Sequence, residues 1–247
     1  MSLSKISSLS GKTVLEVGSG WTLSHSIVFY LLGADKVFST DIKPIAVPAT
    51  LYQAVNNSVI SFVRDILTPY EEHHILRKRL DKLQSIKKFD RSALNDLGIE
   101  YIAPIDFSKR RLNVPVDLIY SNSVLELIPA EEIPFVLNNL TADLKENGIM
   151  INCIHLEDHK DIKSNPFEFY SIATDKYPKI LHSLRGNRLR KSTWEELFNS
   201  IDGTRSAFIY KWKREDKNLP ADIDPSIIFK DEDDLRTSHI GILTRKC

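Results

Sequence analysis

The chain has little cysteine: two residues in 247, Cys153 and Cys247. They form no Cys-x-x-Cys pair and stand at no spacing that Cys and His use to hold zinc. A disulfide-stapled scaffold and a structural zinc ribbon are therefore excluded, and a reducing, cytoplasmic setting is expected. An excess of charge of one sign is equally missing. The 33 Lys plus Arg offset 33 Asp plus Glu, so no overall field draws the chain to nucleic acid or to an anionic membrane surface. No uninterrupted apolar run approaches the ~20 residues that span a bilayer. Met1–Ser8 is polar and lacks the apolar core of a leader. Glycine is sparse too, nine in all, which makes a closely spaced pair informative.

That pair is Gly18 and Gly20, in Lys12-Thr-Val-Leu-Glu-Val-Gly-Ser-Gly-Trp21. An apolar run carrying Glu16 breaks into a Gly-x-Gly turn and leads into a helical stretch. About twenty residues later, Val37-Phe-Ser-Thr-Asp41 is a second apolar run that ends on a carboxylate. This is the pattern of a nucleotide-binding βαβ unit. The glycines bring the backbone close to a ligand, and the second-strand acid can hold both ribose hydroxyls.

The remaining pattern places strands at 13–17, 36–40, 100–105, 116–120 and 149–154, with a closing pair at 207–211 and 238–244. Helices are expected at 22–32, capped by Gly33, through Ile133, Val136, Leu137, Leu140 and Leu144, stopped by Gly148, and at 167–175 and 192–200. Residues about 43–98 interrupt the rhythm. Leu76, Leu80 and Leu83 repeat there at helical spacing, and residues 71–91 carry a net charge of +3. This segment reads as a helical insert whose basic residues either face solvent or cap the cleft over an anionic substrate. The expectation is one doubly wound, Rossmann-like α/β domain spanning 1–247. Its seven-stranded sheet is mostly parallel with an antiparallel last strand, a helical insert follows the second strand, and residues about 155–200 elaborate the substrate side.

A dinucleotide fold wants a third glycine three residues after Gly20, where this chain has Leu23, and Glu16 would repel a pyrophosphate. S-adenosylmethionine has no phosphate. It offers an ammonium to Glu16, a ribose diol to Asp41, and an adenine amino group to Asp106 beside Phe107. In this ordered set the chain resembles the class I S-adenosylmethionine-dependent methyltransferases. Leu-Glu16-Val-Gly18-Ser19-Gly20 resembles their first motif, Asp41-Ile42 their ribose site, and Ile105-Asp106-Phe107 their adenine side. Val116-Asp117-Leu-Ile-Tyr-Ser121-Asn122 resembles their fourth strand. Trp21, His155-Leu-Glu-Asp158-His159 and Asn187-Arg188-Leu-Arg190 are further similar to methyltransferases associated with bacterial surface-polysaccharide or sugar biosynthesis. Those relatives carry Leu-Glu-His where this chain has Leu125-Glu126-Leu127.

The resemblance implies methyl transfer to a hydroxyl of a small polar acceptor, sugar-like or anionic, or a glycan. His159 is the candidate general base, with Asp158 as its orienter or the alternative base and Glu126 as a pocket or helix-capping acid. Arg188 and Arg190 alternate in an extended-looking segment and, with Asn187, make a candidate fork for carboxylate or phosphate. Trp194 and Phe167–Tyr170 read first as helix core, with an aromatic sugar platform as the alternative. His73-His74 lacks further ligands at metal spacing, so no metal site is expected. Two other readings stay open: a non-catalytic adenosylmethionine-binding subunit and a nicotinamide-dependent oxidoreductase. A homodimer is compatible with either.

Overall fold

The computed structural model describes residues 9–47, 66–67, 73–88, 90–177 and 179–247. The leader-free reading of Met1–Ser8 and the part of the insert at 48–65 and 68–72 lie outside the described residues. Seven strands form one sheet: β1 (Thr13–Val17), β2 (Lys36–Thr40), β3 (Ile99–Ile102), β4 (Val116–Asn122), β5 (Leu144–His155), β6 (Thr204–Lys213) and β7 (Thr237–Lys246). Their order is β3-β2-β1-β4-β5-β7-β6. β2 runs parallel to both β1 and β3, while β7 is antiparallel to β5 and to β6. This is the expected mixed α/β sheet with the C-terminal strand reversed.

The described chain falls into two compact units. The first holds β1–β3 and the body of β4. Val14, Leu15 and Val17 on β1 and Val37 and Phe38 on β2 are buried, as strands covered on both faces must be. The helix Ser24–Leu31 follows β1. It enters through Leu23, which is fully buried at φ 50. Where a dinucleotide fingerprint would have glycine, this chain accepts a left-handed leucine to fill its core.

In the insert, the helix His73–Ser85 buries Leu76, Leu80 and Leu83, as their spacing predicts. Its Arg79 does not reach for substrate. The guanidinium donates to the carbonyls of Tyr30 (2.5 Å), Ala34 (2.8 Å) and Gly33 (3.0 Å), and lies over the Tyr30 ring. It thus satisfies acceptors at the end of the Ser24–Leu31 helix, where positive charge is favoured. A second short helix, Arg91–Asp96, is capped by the Asp90 carboxyl, which accepts from Ala93 N.

The second unit holds the end of β4 and β5–β7. The helix Ile133–Asp143 buries the five-residue stripe expected of it except Leu144, which already belongs to β5. Its stop differs from the expected Gly148. The backbone turns extended at Leu144 (ψ 131). The buried Asp143 carboxyl turns away to accept from Arg111 Nε (3.1 Å), Leu112 N (2.8 Å) and Asn113 N (3.3 Å). Gly148 instead sits inside β5, where a Cβ would come within 2.8 Å of the Lys145 carbonyl. The helix expected at 167–175 is two 3₁₀ turns, Glu168–Ser171 and Thr174–Lys176. Their aromatic residues form a separate cluster with Tyr177, Ile227 and Leu235. The edge strand β6 departs from regular pairing twice, between Phe208 and Tyr210 and between Trp212 and Lys213.

Candidate active site

In parallel sheets, ligands gather beyond the carboxyl ends of the strands. In the first unit those ends carry Gly18 and Asp41. Gly18 (φ 77) and Gly20 (φ 64) adopt the left-handed conformation that makes the turn. The turn's amides point inward. Gly18 N and Ser19 N both donate to the Thr40 carbonyl at 2.9 Å, and Gly20 N donates to Asp41 Oδ2 at 3.1 Å. Asp41 Oδ1 accepts from Lys43 N at 3.1 Å. A carboxylate has about four acceptor sites, and among the described residues these two bonds leave acceptor capacity for a ligand.

The buried Ser19 hydroxyl has no hydrogen-bond partner among the described residues. A Cβ on Gly20 would meet nothing within 4 Å. Trp21 and Ile42, on either side, are each 62% exposed. An orphaned donor, open space above the second glycine, a carboxylate and two apolar surfaces suit a nucleoside. Asp106, half-buried, follows the buried Ile105 past β3.

Glu16 is placed differently from expectation. It is 1% exposed. Its oxygens accept from the Ser26 and Ser39 hydroxyls and lie 3.2 Å from His25 Nδ1. With these bonds spent inside the unit, Glu16 offers a cation its charge rather than a direct contact.

In the second unit, Ser121 is fully buried and donates to Asn152 Oδ1 at 2.8 Å. Asn122 is half-buried. Phe107 is buried, and its carbonyl accepts from Asn139 Nδ2 at 2.8 Å.

The same unit gathers Glu126, His155 and His159. One ligand-capable atom from each lies within 4.8 Å of the others. Glu126 is 2% exposed, and neither of its oxygens has a hydrogen bond among the described residues. His159 Nε2 lies 3.6 Å from Glu126 Oε1. His155 Nε2 is 2.6 Å from Glu157 Oε2, and Glu157 accepts from Arg214 at 2.8 Å.

Asp158 does not orient His159. It is fully buried in a forked pair with Arg185, and accepts from Lys160 N at 3.0 Å. Its carboxyl raises the pKa of Arg185 above the usual guanidinium value. His159 N donates to the Arg185 carbonyl at 3.2 Å, so the pair holds the loop that carries His159. Asp158→Ala is expected to lower stability by about 2–3 kcal/mol. That is less than the ~3–5 kcal/mol of an isolated buried pair, because Glu168 remains 3.3 Å from Arg185. Urea unfolding of the variant measures it, and a midpoint unchanged from wild type would remove the pair from the fold's support.

The arginine fork expected at 188–190 does not form, because the segment is not a strand. Arg188 has φ 64. Its guanidinium donates to the Ile172 carbonyl at 2.7 Å and lies 4.1 Å from the Tyr177 ring centre. Arg190 is completely buried and ends on four backbone carbonyls. Asn187 is also internal. Its side chain donates to the carbonyls of Leu125 (3.0 Å) and Ile128 (2.9 Å), and its amide donates to the Glu126 carbonyl at 2.6 Å. It clamps the turn that presents Glu126.

Of the two readings of Trp194 and Phe167–Tyr170, the core one holds and the sugar platform does not. Trp194, Phe167 and Tyr170 are at most 1% exposed and belong to the core. An aromatic surface missed in the sequence lies on β6 and β7, where Tyr210, Trp212 and His239 stack with centroids 5.1–5.4 Å apart. Trp212 is 61% exposed. Burial pushes the His239 imidazole below its usual pKa, with His155 adding to the effect. The stack exists because residue 241 is glycine: a Cβ there would lie 2.2 Å from the Tyr210 ring. Trp212 and His239 line a cleft of about 440 Å³ together with His155, Glu157 and Arg214. The alternation Tyr210-x-Trp212 on a strand was the signal that could have found it.

No protein-family model and no curated protein matches this chain. Solved structures do resemble it. A putative S-adenosylmethionine-dependent methyltransferase from Listeria monocytogenes is 14% identical, with 98% of this chain and 94% of that one covered at a TM-score of 0.50. The YcgJ protein of Bacillus subtilis is 12% identical, covered 98% and 94%, at a TM-score of 0.51. Magnesium protoporphyrin IX methyltransferase (ChlM) from Synechocystis PCC 6803, solved with bound SAH, is 13% identical, covered 97% and 75%, at 0.50. At such identities the likeness is one of fold: the chain has the Rossmann-like α/β fold on which these proteins are built.

Proposed function

We propose that the chain is an S-adenosylmethionine-dependent methyltransferase that methylates a hydroxyl of a small, sugar-like or anionic acceptor. The observation that carries the reading is the turn after β1. Its amides are spent on Thr40 and Asp41, so they form no nest for a pyrophosphate. Asp41 keeps acceptor capacity for a diol, and the Ser19 hydroxyl is buried without a partner among the described residues. A phosphate-free nucleoside fits that arrangement; a nicotinamide dinucleotide does not.

When bound, S-adenosylmethionine supplies a methyl group on a positively charged sulfur. The protein's own tasks are alignment and the acceptor's proton. Asp41 would grip the ribose, Trp21 and Ile42 would cover apolar surface, and Asp106 would read the adenine edge. Glu16 favours the cationic ligand through its charge. In the second unit, Glu126, His155 and His159 are the groups to receive the acceptor's proton. Asp158 and Asn187 act as positioning residues behind them. The Trp212–His239 surface suits the flat apolar face of a pyranose, and Arg214 can answer an anionic substituent.

Calorimetric titration tests the cofactor. One equivalent of S-adenosylhomocysteine is expected to bind while NAD⁺ gives no heat. Binding of NAD⁺, or of neither compound, refutes the assignment. Transfer of a labelled methyl group from S-adenosylmethionine, screened over sugars, sugar acids and nucleotide sugars, tests the acceptor. Label found solely on carbon or nitrogen would reject the hydroxyl.

A further inference from the structure

Glu126 is a buried carboxyl, 2% exposed, with neither oxygen hydrogen-bonded among the described residues. Burying a charge without a partner is costly, and buried charges are found paired or on metals. The nearest partner on offer is His159, also without a hydrogen bond at Nε2. Their separation of 3.6 Å exceeds the 2.7–3.2 Å of a hydrogen bond. It is close to the ~3.3 Å between two donors that share one tetrahedral zinc ion, given bonds of about 2.0–2.2 Å. His155 adds a third donor within 4.8 Å of both.

The surroundings match what ligating side chains require. A metal-bound imidazole is commonly held through its other nitrogen by a carboxylate. Glu157, itself fixed by Arg214, holds the His155 ring through Nε2 at 2.6 Å. Asn187 clamps the turn of Glu126 from behind, and the Arg185 carbonyl anchors His159 N. Each donor is thus fixed by a separate brace. Linear spacing could not reveal the set. Glu126 lies 29 residues before His155, and the histidines stand four apart outside any helix.

We propose that Glu126, His155 and His159 bind one divalent ion of the zinc class, with a remaining position open to a hydroxyl-bearing ligand. Two imidazoles and a carboxylate are a donor set suited to zinc. Ion binding stands apart from methyl transfer; what the ion does for an acceptor rests on the methyltransferase reading. There, an acceptor hydroxyl on the ion would become more acidic and would lose its proton to solvent water, so that the three side chains would hold the ion instead of taking the proton themselves.

The test uses the full chain stripped with a chelator and titrated with Zn²⁺ against a chromogenic competitor. One equivalent is expected to bind. Glu126→Gln and His159→Ala should each weaken it by about 100-fold or more, and Glu157→Gln by about 10–100-fold. His74→Ala, on an exposed residue outside the cluster, should leave it unchanged. Visible bands of bound Co²⁺ should vanish in His159→Ala and shift in Glu157→Gln. His159 sits on a part-exposed loop, so that variant remains informative if Glu126→Gln fails to fold. No stoichiometric binding, or binding indifferent to both His159→Ala and Glu157→Gln, overturns the proposal. Titrating zinc-free protein with S-adenosylhomocysteine separates the two ideas. Cofactor binding without zinc binding sinks the ion alone, and zinc binding without cofactor binding sinks the methyltransferase reading alone.

Discussion

Asp41→Ala is expected to weaken S-adenosylhomocysteine binding by about 10²–10⁴-fold. Two ribose hydroxyls donating to one carboxylate are charge-assisted bonds worth about 1.5–3 kcal/mol each. Together they come to about 3–6 kcal/mol, at about 1.4 kcal/mol per tenfold. The loss should appear in binding rather than in folding. Asp41 is fixed by its backbone: its amide donates to the Ile102 carbonyl at 3.3 Å, and its own carbonyl accepts from Ile105 N at 2.9 Å. Those bonds survive in alanine. Asp41→Asn keeps the side-chain acceptor for Gly20 N while losing the charge, and should fall between. Calorimetry with each variant measures the effect, with thermal unfolding run in parallel. An Asp41→Ala protein that binds the ligand as tightly as wild type would take the diol away from Asp41 and the cofactor from this turn.

Arg190→Ala is expected to cost about 3–5 kcal/mol of stability, the range for stripping one member from a buried polar cluster. The side chain is 0% exposed. It donates to the carbonyls of Leu156 (2.8 Å), Asp234 (3.2 Å), Leu235 (3.2 Å) and Thr237 (2.5 Å), and its guanidinium lies over the Tyr170 ring. Removing it leaves those carbonyls buried without their donor and opens a cavity beside an aromatic cluster. Arg190→Lys should recover little, since an ammonium cannot reproduce a planar fork. Arg188→Ala, on a half-buried residue, should cost less. Equilibrium denaturation ranks the three, and Arg190→Ala behaving no worse than Arg188→Ala would show that Arg190 does not tie these segments together.

The two arginines mark where sequence reasoning reached its limit. Alternation at 188 and 190 suggested a shared face, but Gly186 (φ 113) and Arg188 (φ 64) turn the backbone, and only tertiary contacts decide where each guanidinium ends. Glu126 was singled out, yet its cluster joins β5, a loop and a 3₁₀ turn, which no linear spacing encodes. The first unit was far more readable. Its strand ends, Gly-x-Gly turn and Asp41 follow from apolar runs and glycine conformations that are local properties. The helix boundary at Leu144 is not legible in the sequence because its stop is a long-range event, the capture of Asp143 by Arg111 and the Leu112 and Asn113 amides. Glu16 was identified as special for the right reason, an acid among apolar residues, but its partners Ser26 and Ser39 lie on other elements.

The irregular pairing of β6 bears on how copies of this chain meet. An outer strand with a smooth row of unsatisfied amides and carbonyls invites a neighbour to add its own strand, the route to runaway stacking. Here the ladder to β7 is irregular at two points, one of them a residue bulged out of β6 itself, and β6 carries exposed Lys211 and Lys213. Two such rims brought together would set lysine against lysine across mismatched ladders. Strand addition along this border is therefore opposed by the border's own irregularity and charge.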